Sequence, residues 1–125
     1  MRWTITALVL FIFTCSQQKQ LNPVKVAILK WEVKKDKLPT VNGDGFVDLS
    51  GLEIIYSSKN NTNKPIKHLL IVFKITSETD TIYWDNIVRN IPAKGSKSGI
   101  TLVPDDYIKD YNHLAVNTEI VKILN

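Results

Sequence analysis

The sequence predicts an all-β fold, an antiparallel β-sandwich of about six to seven strands over residues 24–125. Three observations predict it. Beyond Pro23, apolar residues recur with period two more often than period 3.6, the spacing that lines one face of a strand. The alternating runs are short, and clusters of Asn, Asp, Ser, Gly and Pro separate them. No long amphipathic helical pattern interrupts the series. With 44% apolar and 22% charged residues, a chain of 125 is ordinary for one globular domain and too apolar for disorder.

Taken in order, the run "VKVAILKWEV" sets Val24, Val26 and Ile28 on one face, then Leu29, Trp31 and Val33 on the other. That change of phase predicts a bulge in an outer strand. "LEIIYSS" alternates Leu52, Ile54 and Tyr56 against Glu53, Ile55 and Ser57. "IKHLLIVFKIT" places Leu69, Ile71, Phe73 and Ile75 on one face and His68, Leu70 and Val72 on the other, so a central strand is expected. "TIYWDNIV", the short "SGITLV" and "HLAVNTEIVKIL" supply three more. The breaks "NNTNKP", "SETD", "PAKGSKSG" and "VPDD" carry turn chemistry, and "PDDYIKDY" has room for one helical turn.

Between the first two runs lies "VNGDGFVD", Val41 to Asp48. Set against a calcium-binding loop with Gly45 at the sharp turn, it offers Asn42, Asp44, the Phe46 carbonyl and Asp48 as oxygen ligands. The first and last carboxylates of such a loop are missing, since Thr40 and Gly51 stand there. The segment that follows alternates like a strand instead of forming a helix. The stretch therefore reads as a turn closing a hairpin onto "FVDL". A weak calcium site, completed by Glu53 or water, is the alternative.

The opening "MRWTITALVLFIFTC" has Arg2, an apolar run from Ile5 to Phe13 broken by Thr6, and the chain's only cysteine, Cys15. As a helix the run would rise only about 14 Å, roughly half a bilayer core, so it is a signal-peptide core and not a span. A single cysteine excludes an intramolecular disulfide and a multi-cysteine zinc site. The arrangement resembles a bacterial lipoprotein signal of the Bacteroidota type, with Ile12, Phe13 and Thr14 before the lipidated cysteine. The resemblance implies removal of residues 1–14, acylation of Cys15 and a tether over 15–23, so that the membrane is a partner through the lipid anchor. Ser16, where an inner-membrane retention signal often has Asp, points to the outer membrane. An ordinary secretory signal with an incidental cysteine is the alternative.

The segments "NNTNKPIKHLLIVFKIT", "TIYWDN" and "IPAKGSKSGI" are similar to the small immunoglobulin-like sandwich domains of bacterial envelope proteins, the FxLYD type among them. Phe73, Lys74 and Ile75 match the start of that motif, and Thr76 and Ser77 replace its Tyr and Asp. The resemblance implies an immunoglobulin-like architecture and no catalytic residue.

Catalytic and nucleic-acid functions find little support. There is no nucleophile elbow, HExxH motif or phosphate loop, and His68 and His113 are expected as strand residues. The net charge of +4 is modest, and the one tight lysine group, Lys34, Lys35 and Lys37, is interrupted by Asp36. No enzyme, cofactor or nucleic-acid partner is expected. "NNT" at Asn60 matches a glycosylation acceptor. Tyr83 and Trp84 are adjacent in a strand and point to opposite faces; Trp84 and Trp31 are expected in the core, which leaves Tyr83 as a candidate ligand contact. The expected function is that of a lipid-anchored envelope protein acting as a binding or accessory structural module for a protein or glycan partner. The alternatives are a carbohydrate- or calcium-binding module and, behind them, a small enzyme.

Overall fold

The computed structural model describes residues 22–125; the signal segment 1–14, Cys15 and the tether as far as residue 21 lie outside the described residues. Eight strands follow in order: β1 Val24–Lys34, β2 Lys37–Pro39, β3 Phe46–Asp48, β4 Gly51–Asn60, β5 Ile66–Thr76, β6 Thr81–Ile91, β7 Ser96–Pro104 and β8 Ala115–Ile123. Each alternating run of the sequence forms one of the six long strands, and the short pair β2 and β3 brackets the "NGDG" turn. A single 3-10 turn, Asp105–Tyr107, sits in "PDDYIKDY".

The long strands form two antiparallel sheets, ordered β1-β4-β7 and β6-β5-β8, and β2-β3 is a separate two-stranded hairpin. The chain is thus an open antiparallel β-sandwich with an added arm. β4 and β5 are the central strands, and their inward residues make the core: Leu52, Ile54 and Tyr56 face Leu69, Ile71, Phe73 and Ile75. The Tyr56 and Phe73 rings meet at 5.3 Å with a 57° tilt. Each such buried side chain contributes about 1.5–3 kcal/mol. Even the outward Val72 is buried, which fits a central strand apolar on both faces.

β1 carries the expected bulge. Pairing with β4 shifts between Ile28 and Lys30, leaving Leu29 out of register. The result corrects the expected faces, because the extra residue cancels the change of phase. Trp31 and Val33 pair with the inward Ile54 and Leu52, and so lie on the same face as Val24, Val26 and Ile28. Trp31 is nevertheless 36% exposed and not a core residue as expected, since β1 is an outer strand covered on only one flank. Trp84 does pack against the core, with its ring edge-on to Tyr107 at 5.4 Å.

Two hydrogen bonds between side chains join the sheets, beside the bonds that Asn60 Nδ2 and Lys97 Nζ donate to the β6 carbonyls of Ile91 and Arg89. The Trp84 indole Nε1 donates to Thr101 Oγ1 at 3.0 Å, linking β6 to β7. Asn86 donates to the Tyr56 hydroxyl, linking β6 to β4. No hydrogen-bonded ladder joins the two sheets on either side, neither β6 to β7 nor β1 to β8, so the sandwich is open.

Candidate functional site

The arm is built from the stretch that resembles a calcium loop. Lys37 pairs with Asp48, Leu38 with Val47 and Pro39 with Phe46. At its tip the Thr40 amide donates to the Gly45 carbonyl at 3.0 Å, and the Gly43 amide donates to the Thr40 carbonyl at 3.0 Å. Gly43 takes φ 72°, a conformation glycine adopts without steric cost. The stretch turns the chain, as its composition predicts.

The candidate calcium ligands have other partners. Asp44 Oδ1 accepts from the Thr40 hydroxyl at 2.8 Å at the tip, and Asp48 Oδ1 accepts from the Ser50 amide at 2.9 Å at the base. Hydrogen bonding from the Ser50 hydroxyl and amide holds the Asp48 carboxyl below the usual carboxylate range. Glu53 is engaged by Lys34 Nζ at 3.2 Å. Asn42 and Phe46 lie on the exposed tip and its flank. Among the described residues no group of three or more His, Cys, Asp or Glu side chains is placed to hold a metal ion.

What the arm does present is apolar surface. Leu38, Val41, Phe46 and Val47 are all exposed, Phe46 to 71%. Both faces of the hairpin carry them, because Leu38 and Val47 share one side while Pro39 and Phe46 share the other.

Tyr83 lies where the sequence places it, outward on β6 and 55% exposed, with Trp84 turned inward. Its cross-strand neighbour is Lys74, beyond which lies Asn117. Along the same outer face, Asp85, Val72 and Ile120 form one row, and Ile87, Leu70 and Lys122 the next. The face therefore joins Tyr83 to an aliphatic patch of Ile87, Leu70 and Ile120 around the buried Val72. Neighbouring strands are about 5 Å apart and successive rows about 7 Å, so these side chains are within mutual reach.

Several other residues take structural parts. Asn60, expected only as a glycosylation acceptor, is fully buried. Its Nδ2 donates to the carbonyls of Lys64, Pro92 and Ile91, at 2.8, 3.1 and 3.3 Å. Its Oδ1 accepts from the Thr62 amide and hydroxyl. The side chain thus knits two turns together and is closed to modification in the folded chain. His68 is a strand residue, as expected, but His113 is in the turn before β8, at φ 57°, with Nδ1 3.2 Å from Glu78 Oε2.

Asp110 was not singled out by sequence, although "DYN" is an Asx-turn pattern. Its Oδ2 accepts from the Thr79 hydroxyl and amide, and its Oδ1 from the Asn112 amide and side chain. These bonds, that from the Thr79 hydroxyl foremost, lower its carboxyl to about 2. They pin the β5–β6 turn to the connection before β8. No family model, characterised protein or solved structure matches this chain.

Proposed function

We propose that this chain is a lipid-anchored protein of the bacterial cell envelope, held at the outer membrane through Cys15, which binds a protein partner through its apolar arm. The observation that carries the binding role is the arm itself, with Leu38, Val41, Phe46 and Val47 exposed on a hairpin that has no core of its own. A two-stranded hairpin is only marginally stable in water, and apolar patches on exposed elements mark interaction sites. A partner that covers the arm would both stabilise it and gain the burial of those side chains.

Position supports a protein partner over a lipid one. The tether enters at Val24, and the arm leaves beyond Lys34, at the other end of an 11-residue strand. At about 3.3 Å per residue, that separates the arm from the point where the tether enters by roughly 35 Å. A chain anchored with its Val24 end toward the membrane presents the arm away from the lipid. The patch around Tyr83 is a second contact surface, and its neighbours are aliphatic, which suits a protein better than a sugar stacked on a row of aromatics. The anchoring itself is supported by Arg2, the apolar run and Cys15. The proposed role is non-catalytic.

The test is photo-crosslinking in cells, with a benzophenone side chain at Phe46 and, as control, at Ile100 on β7, which is also well exposed. A discrete adduct from Phe46 that disappears on Val41→Ser, with none from Ile100, is the expected result. Adducts from both positions alike, or from neither, contradict a partner on the arm.

A further inference from the structure

We infer that the stretch Ile120 to Ile123 of β8 is a docking edge for an extended strand of another protein, one in which apolar residues alternate with acidic ones. This goes beyond the arm-binding role, since it concerns a different surface at the Val24 end of the sandwich.

β1 and β8 are outer strands of opposite sheets, and neither is bonded to the other. Where β1 begins they leave a groove of about 540 Å³, lined by Val24, Val26, Val121 and Ile123, with Lys25 and Lys122 beside it. An outer strand presents a row of unpaired N–H and C=O groups that another strand can join. Bulges block such addition, and both strands have one. On β1 it is at Leu29, and on β8 the pairing with β5 shifts between Thr118 and Ile120. The regular edge that remains, Val24 to Ile28 and Ile120 to Ile123, is the part that flanks the groove.

β8 is the better acceptor, because its side chains are the more open: Ile120 is 47% and Val121 37% exposed, whereas Val24 is buried. A strand laid beside it would turn alternate side chains toward Val121, Ile123 and Val26, which calls for apolar residues. The intervening side chains would lie beside Lys122, with Lys25 on the far rim. Neither lysine is in an ion pair among the described residues. Acidic residues are the complement. A second copy of this chain is the poorer occupant, since its net charge is +4 and its own β8 would bring another Lys122 to the edge.

The experiment uses the full chain in detergent and two short blocked peptides, one alternating valine with aspartate and one alternating valine with lysine. Amide exchange is followed by NMR. The acidic peptide should slow exchange within Ile120 to Ile123, leave Val41 and Phe46 unchanged, and bind more tightly than the basic one. Lys122→Glu, on an exposed side chain, should weaken the acidic peptide roughly fivefold and reverse the preference, as when a surface attraction becomes a repulsion. Equal affinity for both peptides, or no change at those amides, overturns the proposal. So does slow exchange at those amides before any peptide is added, which would mean that a second copy or the chain's own N-terminal segment fills the edge. None of these outcomes bears on the Phe46 crosslink, so the two proposals fail separately.

Discussion

The Trp84 indole reaches across the sandwich to donate a 3.0 Å hydrogen bond to the hydroxyl of Thr101. Thr101 is buried and Trp84 half-buried, so the bond is largely shielded from water. It ties β6 to β7 on one side of the sandwich, where, as between β1 and β8, no ladder joins the sheets. Surfaces able to accept a partner are expected at the groove between β1 and β8 and on the arm.

Removing one partner of that bond leaves a buried polar group unsatisfied. Trp84→Phe should destabilise by about 1–3 kcal/mol, and Thr101→Val by a similar amount. The double variant should cost less than the sum, with a coupling of about 1 kcal/mol. Urea unfolding of the four proteins measures it, and strict additivity would mean that the bond contributes nothing.

Asn60 should be among the least replaceable polar residues. Asn60→Ala would strip hydrogen bonds from the carbonyls of Lys64, Ile91 and Pro92 at once, at a cost of about 3 kcal/mol. Asn60→Asp should be no better, because it turns a carboxylate oxygen toward the same carbonyls. Thermal melting distinguishes this from a surface asparagine, whose change to Asp would move the midpoint hardly at all.

The glycines of the arm and of β4 should behave oppositely. Gly51 has φ 154°, and a Cβ there would lie 2.1 Å from the Val103 carbonyl oxygen, so Gly51→Ala should cost about 2–3 kcal/mol. A Cβ on Gly45 meets nothing within 4 Å, and Gly45→Ala should stay within about 0.5 kcal/mol. Comparable losses at both sites, by urea denaturation, would contradict this packing.

Acid should loosen the far end of the sandwich through Asp110. Its carboxyl is lowered from 3.8 to about 2, so the stabilisation it gives is fully present above pH 4 and is lost as pH falls through 2. Carboxyl NMR should show a midpoint near 2 that moves toward 3.8 in Thr79→Val. A wild-type midpoint already at 3.8 would mean that the Thr79 bonds do not persist in solution.

Much of this fold was legible in the sequence because alternation is a local property. Leu52, Ile54 and Tyr56, or Leu69 to Ile75, declare their faces without reference to any other strand. The bulge at Leu29 was visible for the same reason, as a break in alternation. Its consequence was not, because whether Trp31 and Val33 turn away or return to the core side depends on register against β4. Trp31 shows the further limit: bulk and apolarity favoured burial, but exposure was decided by β1 being the outermost strand. At the arm, "NGDG" announced a turn, yet nothing local indicates that Phe46 and Val41 would have no sheet beneath them. Asn60 was hidden by its sequon, since its role arises from carbonyls that lie up to 32 residues away.

We propose that Cys15 holds this domain at a membrane. The anchoring is tested most directly by intact mass and membrane fractionation of the protein expressed in a bacterium, beside Cys15→Ala. The account predicts a mature wild-type chain that begins at an acylated Cys15 and pellets with the membrane, and a variant that does not. A mature chain that starts elsewhere, carries no lipid and remains in the soluble fraction would contradict it.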